Sequence, residues 1–511
     1  MKYIKSVERI FWPVGQGAFY SEKLKFDDGK EFNIVYDCGS NNKKALEKSI
    51  NNFNSKTIDI LFISHFHNDH ISGIEKLLQK SEIKMIIIPY LLKKEVIIEV
   101  SNSLIHSNYE SVKFLNYSYY DQLKNYKYLQ NYNFNEETIE KLNNITIIKK
   151  HPDYYEENRK EPFFEEGIDF SNLLSEYKNK IEVYDKKFLK INISQNISES
   201  SKNSNLWVYS LYNHKCKEYY SKISSRLKEK DIDILIPENY KENIEKIIDV
   251  YKEFFKNLND SSMFLYSGKE KINIRKITIC FDRLILNEKK YKSKVKNFKT
   301  LKYLNQNERL YFLHKRIKKL EPNNGKHGCL YTGDGNIKKE NLNIQNIYKR
   351  YWKNIYIIQI PHHGSKNNYN YEFSEEKNMN FIVSSGTNYK NHPDESIAKS
   401  LNENNNFYNV TENSPSQKIF IRKALDYLNI MYLSKDNKMY YNFDNKNLFY
   451  LRKWWVIPYS DEVLIYDFLS MGKKVIINRK NNVRYYLCPK DIKVKNKKGI
   501  FKSVKRSIYK Y

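Results

Sequence analysis

Ser64-His65-Phe66-His67-Asn68-Asp69-His70-Ile71-Ser72-Gly73 sets three imidazoles and a carboxylate within six positions. The run before it, Ile58-Asp59-Ile60-Leu61-Phe62-Ile63, is apolar at all but one position. It predicts a buried strand that delivers the cluster to a sheet edge. In extended chain His65 and His67 project to one side and can reach one metal ion. Asp69 and His70 fall where the chain turns and can serve a second. A polar loop that collects histidines by chance is the plain alternative, but only eleven histidines are spread over 511 residues.

Outward from this loop, residues 1–90 alternate strand, turn and helix. Glu8 to Phe11 feeds Pro13-Val14-Gly15-Gln16-Gly17-Ala18, and Phe32 to Tyr36 runs into Asp37-Cys38-Gly39-Ser40. Gly73 to Leu78 has helical spacing, and Lys84 to Ile88 is another strand candidate. Further along, Cys329-Leu330-Tyr331-Thr332-Gly333-Asp334-Gly335, Asn354 to Lys366 and Phe381 to Pro393 each begin as an apolar strand-length run and end in polar residues. The alternation implies a layered α/β architecture in which several strand ends converge on one edge.

Between about 91 and 270 the pattern gives way to polar, tyrosine-rich segments with helical stretches such as Asp231 to Leu258. This region reads as a largely helical insertion, with 203–213 alternating like a core strand. His106, His151 and His214 stand there singly and read as structural. The domain reading is a core made of 1–90 and 271–445, the insertion 91–270, and a basic C-terminal extension 446–511.

Five scattered cysteines without CxxC spacing argue against a disulfide framework and against a thiolate zinc site. They suit a reducing cytoplasm. Cys38, alone after a strand, is not read as a nucleophile. No secretion signal is visible, and the longest apolar stretch, Met85 to Leu92, contains Pro89 and is far shorter than the ~20 residues of a membrane span. A soluble cytoplasmic protein is expected. The net charge of +28 favours polyanions, and Lys490 to Tyr511 concentrates that excess. Over-use of Lys, Asn, Ile and Tyr together makes part of the surplus a background of composition. The GxG pieces at 15–17 and 333–335 lack a full dinucleotide fingerprint or a P-loop lysine, so both read as turns.

The pieces VGQGA at 14–18, VYDCGS at 35–40, SHFHNDHISG at 64–73, LYTGDG at 330–335, PHHGSK at 361–366 and the His392-Pro393 pair occur in one order. In that order the chain resembles the metallo-β-lactamase fold superfamily, and within it the soluble hydrolase domain of the ComEC family of DNA-uptake competence proteins. The resemblance implies an αβ/βα sandwich of two mixed sheets with outer helices and two divalent metal ions, Zn²⁺ or Mn²⁺, at one edge. It implies His65 and His67 on one metal, Asp69 and His70 on the other, and Asp334 between them. A histidine of the 362–363 pair completes the second site, with His363 preferred by analogy to phosphocholine-esterase relatives. Asp37 is expected to anchor a ligand imidazole or its loop through a hydrogen bond. A further ligand histidine, which many members carry in a glycine-histidine turn before the bridging aspartate, has no counterpart here.

The activity expected from this resemblance is that of a metallohydrolase, foremost a two-metal phosphodiesterase or nuclease using a metal-bridging hydroxide. Asp69, Asp334, His362 and His392 are its catalytic candidates. His392, or whichever of His362 and His363 does not ligate, would protonate the leaving group, while Ser365 and Lys366 would face a substrate phosphate. Tyr389 and Asn391 are candidate substrate contacts. A hydrolase of a small phosphoester, phosphocholine, thioester or lactone is the enzymatic alternative. A non-catalytic module that senses metal or ligand is the third reading.

Overall fold

A computed structural model describes 4–153 (save 27), 167–185, 189–193, 207–214, 217–254 (save 239), 262–270, 278–284, 326–338, 342–376, 379–389 and 392–413 (save 405). It also describes short strands between 417 and 504. One compact unit comprises 1–273, 280–291 and 323–422; a second comprises 274–279, 292–322 and 423–511.

In the first unit the strands are β1 (Ile4–Phe11), β2 (Phe19–Phe26), β3 (Glu31–Cys38), β4 (Thr57–Phe62), β5 (Glu82–Pro89), β6 (Thr146–Lys150), β7 (Ile168–Asp169), β8 (Ile181–Tyr184) and β9 (Lys190–Ile193). They continue with β10 (Trp207–His214), β11 (Ser262–Lys269), β12 (Thr278–Leu284), β13 (Gly328–Tyr331), β14 (Ile355–Gln359), β15 (Asn380–Ser384), β16 (Asn406–Val410) and β17 (Gln417–Lys423). The first sheet has the order β12-β17-β1-β2-β3-β4-β5-β6-β8, and the second has the order β16-β15-β14-β13-β11-β10-β9-β7. Both are mixed: β3 to β6 pair in parallel in the first, β13 to β16 in the second.

Alternation along the strands builds the layers. On β5, Met85 and Ile87 join a core shared with Leu265, Tyr331 and Ile357 of the other sheet, while Ile86 and Ile88 join a separate core. That outer core is closed by α1 (Lys43–Asn52), α3 (Ile74–Lys80), α4 (Lys93–Ile105) and α5 (Tyr109–Ser118), through residues such as Ile50, Leu77, Val96 and Val112. On the second sheet Ile358, Phe381 and Val383 pack with Ile344, Tyr348, Ile397 and Leu401 of covering helices. The arrangement is helices, sheet, sheet, helices, an α/β sandwich of two mixed sheets with outer helices as expected. β4 is buried at nearly every position because parallel neighbours and both faces are covered, which is why its sequence reads as a continuous apolar run.

The stretch 91–270 differs from a helical insertion. It holds α4, α5 and the helix Tyr240–Phe254, but it also supplies β6 through β11, including the expected strand at 207–214. The sheets continue through it because these strands find partners at existing edges. A buried ion pair ties the sheets together. Arg9 of β1 pairs with Glu22 of β2 and donates to the carbonyls of His327 and Ser267, while Tyr209 and Ser267 donate to Glu22.

Among its described residues the second unit has three antiparallel three-stranded sheets, with strands from Met431–Leu433 through Phe501–Val504. Trp454 and Trp455 lie in one of these strands. Ser470 to Gly472, most of the basic tail, Asn391, Cys216 and Cys488 lie outside the described residues.

Candidate metal centre

Each candidate ligand follows the C-terminal end of a strand in one of the parallel runs. Asp37 is at the end of β3, the 64–73 loop follows β4, Asp334 follows β13, His362 and His363 follow β14, and Ser384 closes β15. After β4 the chain stays extended to His67 and then turns through the short helix α2 (Asn68–Ile71), which separates the His65/His67 pair from Asp69 and His70. Close packing fixes that turn. The Gly39 Cβ position lies 2.4 Å from the His70 carbonyl carbon, and that of Gly17 lies 2.4 Å from the Gly39 carbonyl oxygen. No side chain fits at either place.

Two groups of ligand atoms result, each with all members within 4.8 Å of one another: Asp69, His70, Asp334 and His363, and His65, His67 and Asp334. Asp334 belongs to both. His70 Nε2 is 3.1 Å from Asp334 Oδ1, His65 Nε2 is 3.8 Å from Asp334 Oδ2, and His363 Nε2 is 3.1 Å from Asp69 Oδ2.

Hydrogen bonds behind the imidazoles decide which nitrogen faces the cluster. His363 Nδ1 donates to the Ser384 carbonyl at 2.9 Å, which aims Nε2 at Asp69 Oδ2, 3.1 Å away, the nitrogen that a cation between them would take in place of the proton. His70 Nδ1 donates to Asp37 Oδ2 at 2.8 Å. Ser64 gives its hydroxyl hydrogen to Asp37 at 2.7 Å, so its oxygen accepts from His65 Nδ1 at 2.9 Å. Asp37 also takes the Ser64 N–H at 2.7 Å, and with a left-handed backbone and no exposure it holds both the loop and a ring. His65 Nε2, His70 Nε2 and Asp334 Oδ1 are buried without a hydrogen-bond partner. Buried polar atoms are rarely left so, and three aimed into one space among carboxylates are the donor set of a cation.

Electrostatics agree with that reading. Burial pushes His65 well below the ordinary histidine value, helped by neighbouring His70 and His67, and pushes His67 down to about 4, so burial favours the neutral form of both rings. Burial opposes protonation of His70, yet Asp334 and Asp37 outweigh it and hold His70 well above that value. Burial likewise opposes His363, which Asp334 and Asp69 raise. Burial would raise Asp334 and Asp69, but His70 and His363 hold both below the ordinary carboxylate value. Positive charge is what this buried pair of carboxylates demands.

His362 is not in either group. It and His363 both have left-handed backbones (φ 46° and 53°), which turns the second ring inward and the first toward Asn368, whose Oδ1 is 2.9 Å from His362 Nδ1. The rings of His362 and His392 are 5.6 Å apart, and His392 is 6.1 Å from His363. Ser365 is buried and its hydroxyl oxygen accepts from the Asn367 N–H, while Lys366 is exposed beside it. Tyr389 is exposed. Cys38 is buried and its thiol is pushed well up, first by burial and then by Asp37. Ser64, Ser384, Asn368 and Gln16 are supporting residues whose roles sequence reading missed. Only the position of Ser64, directly before His65, carried a signal.

Residues 26–94 match the family described as Metallo-beta-lactamase superfamily. Over 46 residues, 9% of this chain and 14% of the relative, the sequence is 52% identical to Ribonuclease Z of Agathobacter rectalis. Among solved structures, a long form RNase Z from yeast aligns with 42% of this chain and 28% of that one, at 14% identity and a TM-score of 0.17. The matched regions thus span far less than two thirds of either relative. The 26–94 segment, which runs from the end of β2 through the 64–73 loop to the start of α4, is thus similar to the metallo-β-lactamase superfamily. No helix among the described residues is long and apolar enough to cross a membrane.

Proposed function

We propose that the protein is a dinuclear metallohydrolase that cleaves phosphodiester bonds in nucleic acid. The observation that carries this is Asp334, one carboxylate shared between two ligand groups, each of which draws side chains from both sheets. The first cation is assigned to His65, His67 and Asp334, and the second to Asp69, His70, His363 and Asp334. Imidazole and carboxylate donors without thiolate suit Zn²⁺ and Mn²⁺ alike. Such a pair of cations, when bound, supplies an attacking water of lowered pKa and neutralises charge on the departing oxygen.

The chain's own residues position the reacting groups. Asp37, Ser64 and the Ser384 carbonyl fix the ligand rings, so coordination geometry is set before substrate arrives. His362 and His392 stand beside the cluster on the 361–366 and 384–393 segments, where a phosphodiester's leaving oxygen would meet them. Lys366, exposed and next to Ser365, is assigned to a substrate phosphate further along the strand. The +28 charge supports a polyanionic substrate. The ComEC-like motif series makes DNA the first substrate to assay, and the short identity with Ribonuclease Z makes RNA the second.

Cleavage of single- and double-stranded DNA and RNA, with Zn²⁺ and Mn²⁺ titrated, compares the wild type with Asp69→Ala and Asp334→Ala. Cleavage that needs metal and is abolished in both variants supports the proposal. Metal-dependent cleavage that persists in both, or cleavage only of small phosphoesters, thioesters or lactones, rejects it.

A further inference from the structure

Gln16 and His392 meet beside the metal cluster although 376 residues separate them. Gln16 sits between Gly15 and Gly17 in the turn after β1 and is buried. Its Oε1 accepts from the Gly386 backbone N–H at 3.3 Å. A backbone N–H only donates, so that contact orients the amide, with oxygen toward Gly386 and nitrogen toward His392. Gln16 Nε2 lies 3.1 Å from His392 Nδ1. An amide nitrogen also only donates, so His392 Nδ1 must accept and the ring proton of neutral His392 sits on Nε2.

We infer that Gln16 is a positioning residue that holds His392 as the neutral Nε2–H tautomer, so that His392 offers substrate oxygen a hydrogen bond and not a proton. This rests on the hydrolase reading for the identity of that oxygen, a phosphoryl or leaving oxygen of a phosphodiester. Losing the Nε2 proton would leave an imidazolate, so the neutral ring works by stabilising developing negative charge, as neutral imidazoles do in other enzymes. The leaving-group protonation expected of His392 therefore passes to another group.

His362 is set the opposite way. Asn368 Nδ2 donates to the Asp334 carbonyl at 3.1 Å, which turns Asn368 Oδ1 toward His362 Nδ1 and makes that nitrogen the donor. Neutral His362 thus keeps its lone pair on Nε2. Two rings 5.6 Å apart present one donor and one acceptor, and two amides from different loops make that assignment.

The test is long-range ¹H–¹⁵N correlation on the full-length, Zn²⁺-loaded chain with ¹⁵N-labelled histidine, with His392 assigned by loss of its signals in His392→Gln. The wild type is expected to show an unprotonated Nδ1 and a protonated Nε2. Gln16→Glu, whose carboxylate accepts at Nδ1, is expected to move the proton to Nδ1 and lower kcat about 100-fold at nearly constant KM. In the His392→Gln background the same change should add nothing. A proton on Nδ1 of wild-type His392, or an unchanged ring in Gln16→Glu, overturns the inference. The spectrum needs no substrate, so metal-dependent cleavage that survives both Asp69→Ala and Asp334→Ala would sink the hydrolase reading while leaving the tautomer result standing.

Discussion

At the scale of single residues, one buried carboxylate does more than any ligand to shape the centre. Asp37 takes hydrogen bonds from the Ser64 backbone, the Ser64 hydroxyl and His70 Nδ1. In Asp37→Asn one oxygen becomes a donor facing other donors, so His70 loses the partner that fixes its ring. Metal affinity should fall 10- to 100-fold, read by competition with a chromophoric chelator. His65 and His67, kept neutral by burial, should tolerate moderate acidity as ligands. The doublet shows what a sequence withholds. Both His362 and His363 are plausible ligands as letters, and the left-handed backbone at each, with Asn368 behind one and the Ser384 carbonyl behind the other, separates their roles.

At the scale of elements, strand ends and turns carry the design. Ser64 to Gly73, Asp334 and the His362-His363 doublet stood out because apolar strand runs stop there at imidazole and carboxylate residues. Gln16, Asn368 and Ser384 act across the gap between elements, and nothing in local spacing reports such contacts. The strands of 91–270 were hidden for a related reason. β8 has three exposed positions of four, and β6, though buried at all but one position, ends in two lysines, so neither reads as an apolar run. Gly39→Ala forces a methyl into the His70 backbone, which has no side-chain freedom to yield. It should cost about 1–3 kcal/mol in stability, measured by urea unfolding, and weaken metal binding.

His327, just before β13, gives an acid test of the sheet-to-sheet network. Burial, then Lys269 and Arg9, push it well below the ordinary histidine value, so the folded protein keeps it neutral while the unfolded chain protonates it near pH 6.5. Its contribution is therefore present above pH 6.5 and lost as pH falls from there toward its folded value. His327→Gln should flatten the fall in melting temperature between pH 6.5 and 5 in chelator-treated protein. Replacing Glu22 by Gln leaves Arg9 buried without its counter-charge and should cost about 3–5 kcal/mol.

At the scale of the whole molecule, layers and charge frame the activity. The sandwich was legible from the order of motifs, whereas the three small antiparallel sheets of the second unit follow from no motif that marks them. If the basic surplus meets phosphates, nucleic-acid binding should weaken linearly in log Kd against log salt, by fluorescence anisotropy, with a slope that grows with each phosphate contacted. The central claim is that side chains from two sheets hold a pair of cations through Asp334. Anomalous diffraction at the zinc edge from metal-loaded crystals tests it most directly. Two peaks about 3.5–4 Å apart, with Asp334 touching both, is the expected map. No peak within coordination reach of Asp334 would contradict it.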